Sequence, residues 1–354
     1  MNQRPYTVVL IVPTGVGAAI GGYAGDALPV ARALASVADR LITHPNVLNG
    51  AQLYWPLPNA FYVEGYGLDQ FAKLRWGLRP VRQNRIGLIL DQAIEPDLRL
   101  RQLQAADATR ATLGLNLTDY VVTDAPMNVQ LRSSASGASW GTIDADSLLR
   151  AAEILIHKAG AEAIAVVARF PDDIDSAALQ QYRQGQGVDP LAGAEAVISH
   201  LIVRTFQIPC AHSPALSPLP PDPHLSPRSA AEELGYTFLP SVLVGLSRAP
   251  RFVVETSIPS LPNDIWANQV DAVVVPATAC GGSALLSLSH AGVQTIAVGE
   301  NQTQMQVPPE PLGIKAIHVH SYLEALGVLV AHKTGISPSA LSPTISSLHC
   351  LSGQ

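Results

Sequence analysis

The run from Asp271 to Thr303, DAVVVPATACGGSALLSLSHAGVQTIAVGENQT, restricts what this chain can fold into more than any other stretch. Ala272–Val275 is a short, continuous apolar segment of the kind buried in a parallel sheet, and Pro276 stops it. The small residues Thr278–Ser283 then form a loop into a helix expected over Ser283–His290. Gly292 ends that helix, and Val293–Val298 reads as the next strand. A strand–helix–strand unit of this type needs a parallel sheet covered by helices. The loop after its first strand lies at the carboxyl edge, where open α/β folds bind ligands. Paired glycines let backbone N–H groups approach a ligand closely, and a helix N-terminus favours an anion. Thr278, Gly281, Gly282 and Ser283 are therefore expected to line a site, with Cys280 at its turn.

The same rhythm recurs along the chain. Thr7–Val12 reads as a strand, followed by the glycine loop Gly15–Asp26 and a helix over Pro29–Ala38. Leu41–Asn46 is strand-like, and Gln52–Tyr66 is rich in aromatic residues and proline. Arg85–Leu90 and Tyr120–Thr123 read as strands flanking an amphipathic helix over Asp97–Leu113. Asn128–Thr142 is a polar loop rich in Ser and Gly. Asp144 is placed to cap a helix over Ala145–Ala159 that Gly160 ends before a strand at Ala163–Ala168. A further helix starts near Asp189-Pro190. Leu216–Pro227 carries five prolines and reads as an extended connector, followed by a helix over Ser229–Leu234. A strand at Ile314–Val319 and a helix at Ser321–His332 complete the pattern.

With 354 residues, 47% apolar, there is material for a large core. The expected fold is α/β, with largely parallel sheets and Rossmann-like βαβ units in two lobes around a cleft. The expected division is an N-terminal lobe over 1–206, a Pro-rich connector over 207–227, a C-terminal Rossmann-like lobe over 228–336 and a Ser/Pro-rich tail over 337–354.

Charge narrows the partners. Lysine and arginine number 22 against 28 acidic residues, a net charge of −6 without a basic tract, which argues against nucleic acid. No apolar run approaches the roughly 20 residues of a membrane span, and Met1–Tyr6 leads straight into a strand instead of a signal sequence. Cys210, Cys280 and Cys350 are odd in number and unpaired in spacing, which suits a reducing cytoplasm. The histidines are scattered, so neither a metal nor a cofactor is expected. The charged fraction of 14% is low enough to suggest a homo-oligomer.

Among chemically capable residues, Cys280 stands out, because the positive end of a helix dipole lowers a thiol pKa. Glu195 and Ser199, four apart, share a helix face, as do Ala196 and His200. His212 follows Cys210 by two residues. Glu195, His200, His212 and Glu300 are the further acid–base candidates. Thr14, Gly15, Gly17, Gly21, Gly22, Asp26 and Asn301 join the loop residues as ligand contacts, with Arg132 and Arg169 meeting substrate charge. The glycine spacing near the N-terminus departs from the dinucleotide fingerprint.

Three resemblances add context. The segments AAEILIHKAGAEAIAVVARF and DAVVVPATACGG are similar in rhythm to the aspartate/glutamate racemase superfamily. That implies facing thiols, Cys210 and Cys280, although Arg169-Phe170-Pro171 follows the strand where the first cysteine is expected. Gly281-Gly282-Ser283, Gly292 and Glu300-Asn301-Gln302 resemble the carboxyl-terminal half of two-domain nucleotide-sugar glycosyltransferases, and Gly21-Gly22, Gly25-Asp26 and Pro29 resemble their acceptor-side loop. Over nearly the whole chain, PTGVGAAIGGYAGDALP, THPNVLNGA, GAEAIAVVARFPDD, GAEAVISHLIVR, IPCAHSPA, AAEELGYTFLPSVLVGLS and ACGGSALLSLSHAGVQTIAVGENQT resemble a domain-of-unknown-function family of cyanobacteria and plastid-bearing eukaryotes. This implies a soluble protein of a photosynthetic cell and no particular mechanism. The resulting expectation is a cofactor-independent thiol enzyme, isomerase- or racemase-like or a hydrolase, on a small anionic metabolite. The alternatives are a nucleotide-sugar-binding transferase and a non-catalytic metabolite sensor or assembly protein.

Overall fold

The apolar runs form strands buried on both faces, as parallel sheets require. The computed structural model describes residues 4–48, 55–135, 137–172, 176–217, 219–233, 239–254 and 261–350. Expectations falling on 49–54, Ser136, Asp173, Pro218, 234–238 and 351–354 lie outside the described residues. In chain order the strands are β1 (Thr7–Leu10), β2 (Arg40–Thr43), β3 (Ala60–Tyr62), β4 (Trp76–Arg79), β5 (Ile86–Leu90), β6 (Leu117–Val122) and β7 (Gln130–Ser133). There follow β8 (Ser139–Thr142), β9 (Ala163–Arg169), β10 (Cys210–Ala215), β11 (Arg251–Val254), β12 (Val270–Pro276), β13 (Gln294–Val298) and β14 (Ala316–Val319).

Two parallel sheets carry the architecture. One has six strands in the order β14-β13-β12-β1-β2-β3, and the other has four, β10-β9-β5-β6. All neighbours within each sheet run parallel. Sheet membership does not follow chain order. The larger sheet draws strands from 7–62 and from 270–319, so a division at 206–228 does not separate the two sheets. The physical reason is the pairing of β1 with β12, with Val8, Val9 and Leu10 lying beside Ala272, Val273 and Val274 and all of them wholly buried.

The helices follow from local pattern. Leu148, Ala151, Ala152 and Leu155 recur at three- and four-residue spacing and form the buried stripe of the helix Ala145–Ala159. Burying each leucine contributes on the order of 2 kcal/mol. Gly160, at φ 65°, ends this helix in the left-handed conformation. Asp144 sits at its N-cap position without a capping bond; its carboxylate accepts from Asn128 Nδ2 at 2.6 Å instead.

Other departures have equally local causes. The polar stretch 128–142 contains the antiparallel hairpin β7–β8, packed on the helix Ala192–Phe206. The aromatic-rich segment contributes a helix, Gly65–Ala72, whose N-terminus is capped by the Glu64 carboxylate accepting from the N–H groups of Tyr66 and Gly67. Helix Ala192–Phe206 starts after Asp189-Pro190, and Asp189 accepts the Leu191 N–H at 2.8 Å in the preceding turn. That helix touches β8, β10 and Gly65–Ala72, which in turn packs on Ser283–His290. It thus bridges the two sheets.

Candidate functional site

The six-stranded sheet reverses its winding between β1 and β12. From β1 the chain moves outward to β2 and β3, and from β12 it moves the other way to β13 and β14. The ends of adjacent connections then diverge at the carboxyl edge and leave a crevice. A cavity of about 370 Å³ occupies it. Its floor comes from segments that follow the strands: Ile11, Pro13 and Thr14 after β1; His44, Pro45 and Asn46 after β2; Glu64 and Gly65 after β3; Ala279 and Gly282–Leu285 after β12. The facing wall is the helix Ala192–Phe206 and edge strand β10, which supply Glu195, Ala196, Ser199, His200, His212 and Pro214.

Two histidine–carboxylate pairs open on this space. His200 Nδ1 lies 3.1 Å from Glu64 Oε1, and that hydrogen bond raises the imidazole pKa. His212 Nδ1 lies 2.6 Å from Ser199 Oγ, and its Nε2 is 3.6 Å from Glu195 Oε2. Ser199 therefore fixes the ring so that its other nitrogen is beside Glu195. A third histidine, His44, accepts the Val12 N–H at Nε2 (2.8 Å), and burial pushes its pKa down to about 4. His44 is a neutral structural acceptor near pH 7.

The remaining wall is acidic. Asp69, Asp189 and Glu232 line it together with Glu64 and Glu195. Burial raises the Asp69 carboxyl pKa, against a stabilising bond from the Ala284 N–H. Burial, then the charges of Glu232 and Glu195, raise Asp189 well above the usual carboxylate range. Glu232 is pushed up to about 7, chiefly by burial. It accepts from Tyr182 Oη and from the Ala24 N–H. By area Asp189 and Glu232 are only partly buried. They keep a surface toward the opening while their carboxyl groups are crowded by protein atoms. Among the described residues lining the cavity none is Lys or Arg, and no group of His, Cys, Asp and Glu is placed to hold a metal ion.

Of the residues singled out from sequence, the fold brings Thr14, Glu195, His200, His212, Gly282 and Ser283 to one cavity. The two glycine loops thus border the same space, through Thr14 and Ala24 of one and Ala279, Gly282 and Ser283 of the other. Cys280 corrects the thiol expectation. It is wholly buried beside the carbonyls of Pro276 and Ala277, away from the lining, and burial pushes its pKa up to about 11. Desolvation disfavours the thiolate, and the Glu310 charge adds to it. Cys210 is also wholly buried and shifted the same way, so neither thiol faces the cavity.

The other residues have packing roles. A Cβ on Gly22 would lie 2.3 Å from the Ala18 carbonyl oxygen, and one on Gly15 2.7 Å from Ser139 Oγ. Gly17 and Gly21 are likewise crowded by Gly187 and Val12. Asp26 accepts the Gly21 N–H and pairs with Arg228 at 2.7 Å. Asn301 is buried, bonded to Ile20 and to Tyr322 Oη, and Glu300 accepts the Tyr322 N–H. Thr278 bonds Thr303, and Gly281 packs on Val307. Arg132 is exposed over Trp140, and Arg169 is held by Glu95 and Asp172.

His44, Glu64, Asp69, Asp189 and Glu232 were not anticipated from sequence. A usable signal existed for two of them: His44 and Glu64 each follow an apolar strand at its carboxyl end. Asp189 comes from an irregular segment and Glu232 from the end of the short helix Pro227–Ala231, and only tertiary packing carries them to the site.

Comparison with known proteins agrees with the near full-length resemblance. The family described as protein of unknown function (DUF3326) matches residues 7–342. A protein of Synechococcus sp. (strain PCC 6301) named as an uncharacterised lipoprotein is 62% identical over 344 residues, covering 97% of this chain and 95% of that protein. Among the described residues no helix is long and apolar enough to cross a membrane.

Proposed function

The chain belongs to the DUF3326 family, and on that footing we propose that the cavity between the two sheets is the active site of a cofactor-independent enzyme that moves a proton on a small polar metabolite. The observation that carries this is the convergence of His200–Glu64 and His212–Glu195 on one crevice at a topological switch point. Proton transfer needs a base and an acid whose affinities differ. Glu195 beside His212 supplies the base, with Ser199 holding the ring. His200, whose proton affinity is raised by its bond to Glu64, and the carboxyl of Glu232 supply protons. The buried thiols take no part. A nucleotide-sugar site is disfavoured because, among the described residues, no lining arginine or lysine meets a diphosphate.

The test is hydrogen exchange in heavy water over a panel of amino acids, amino alcohols and hydroxy ketones, read by mass spectrometry. The wild-type protein is expected to exchange one carbon-bound hydrogen. Glu195→Gln and His212→Asn should each slow that exchange by about 100-fold or more. Saturable binding without exchange of any compound would instead make this a metabolite sensor. We also place the protein in a reducing cytoplasm, on two thiols, Cys210 and Cys280, that form no disulfide. Recovery in the membrane fraction of cells would overturn that placement.

A further inference from the structure

We propose that the ligand of this cavity is a cationic amine, bound with its ammonium among Asp189, Glu195 and Glu232. The inference rests on the cavity being the functional site and adds the chemical class of what enters it. Five carboxylates line the space, and no lysine or arginine does among the described residues. Two of the five have an imidazole beside them, Glu64 with His200 and Glu195 with His212. Asp189 accepts the Leu191 N–H, a dipole rather than a charge. The arginines on the adjoining segments are committed elsewhere: Arg228 to Asp26, and Arg183 to Glu233 and the Pro220 carbonyl. In the first glycine loop the glycines serve close packing, Gly17 and Gly22 against the carbonyls of Gly187 and Ala18 and Gly15 and Gly21 against the side chains of Ser139 and Val12.

Carboxylates crowded in this way cannot all ionise without a compensating charge. Burial and mutual repulsion raise the proton affinity of Asp189 and of Glu232, the latter to about 7. A ligand ammonium supplies the compensating charge, because it stays charged and donates several hydrogen bonds. Binding then releases a carboxyl proton to solvent. The groups that bear on this proton are Glu195 and His212 on the bridging wall, Tyr182, and Tyr23, whose ring stacks on Tyr182 at 4.5 Å, with Asp26 and its partner Arg228 behind them. A neutral polyol would leave the proton in place, and an anion would be repelled.

Calorimetry with three four-carbon probes separates these cases: putrescine (diammonium), 1,4-butanediol (neutral) and succinate (dianion), each at pH 6 and pH 8. Putrescine is expected to bind about tenfold more tightly at pH 8, where the carboxyl near 7 is ionised, than at pH 6, where binding releases its proton as a buffer-dependent heat. Asp189→Asn, checked for an unchanged melting temperature, should weaken the binding and reduce the proton release. Glu195→Gln should weaken it as well. Equal or tighter binding of butanediol or succinate overturns the amine class while leaving the cavity as the site. Failure of putrescine to bind at either pH also overturns the amine class. Hydrogen exchange on a compound without an amine, sensitive to Glu195→Gln, would show that the catalytic reading survives this failure.

Discussion

Both parallel sheets reverse their winding near the middle, the larger between β1 and β12 and the smaller between β5 and β9. Each reversal makes a crevice at the carboxyl edge, yet the two are filled differently. In the smaller sheet Asp91, wholly buried after β5, accepts the N–H groups of Ala93, Met127 and Arg169, each at 3.1 Å. Arg169, at the end of β9, spreads its guanidinium over Glu95 and Asp172 at 2.9 and 2.5 Å. The chain's own groups meet at that crevice, Asp91 matched by amides and Glu95 and Asp172 by a guanidinium. In the larger sheet the carboxylates gather around open space without an arginine. A switch point is therefore not sufficient for a site. What distinguishes the two is what meets the carboxylates, amides and a guanidinium in the smaller sheet and imidazoles and other carboxylates in the larger, which is the crevice proposed to take a ligand.

The largest expected effect compares the two aspartates. Asp91→Ala removes a buried acceptor shared by three backbone donors and should cost roughly 3 kcal/mol. Asp189→Asn replaces a carboxyl whose charge the fold resists, so denaturant melts should show the unliganded protein unchanged or more stable at pH 8. If the two variants lose stability equally, the contrast between closed and open crevices is wrong.

A smaller effect is the pH dependence of melting, which should have arms of opposite sign. Glu232 has its folded pKa raised from 4.5 to about 7. Its contribution to stability is full below about 4.5 and is lost as pH rises through about 7. Asp172, drawn down from 3.8 to about 2 by its bonds to Arg169, behaves in reverse. Its contribution is present above about 3.8 and is lost as pH falls through about 2. Glu232→Gln should flatten the neutral arm and leave the acid arm. A variant that shifts both arms would mean the two regions are not electrostatically separate.

The smallest effect concerns Cys280, at the margin of the open crevice but outside it. Iodoacetamide at pH 7.5 should modify the exposed Cys350 well before Cys280, whose thiol is pushed up to about 11 and enclosed. Faster labelling at Cys280 would extend the open site to the thiol.

The sequence by itself determined the local units. The helix Ser283–His290 and the helix Ala145–Ala159 with its terminal Gly160 match their expected ranges, because periodicity and a left-handed glycine act within a few residues. The α/β class with parallel sheets followed from those units, and so did the meeting of Thr14 with Gly282 and Ser283 at one edge. Tertiary structure alone decided that β1 lies beside β12, since pairing joins residues more than 260 apart and no local pattern encodes it. It also decided the chemistry. Burial, with the nearby Glu310 charge, raises the Cys280 thiol pKa, and what surrounds a side chain is not written in its local sequence. Glu64, His200, Glu195, His212, Asp189 and Glu232 line one cavity because four separate segments fold onto one crevice. Their charges were legible in the chain, and their mutual distances were not.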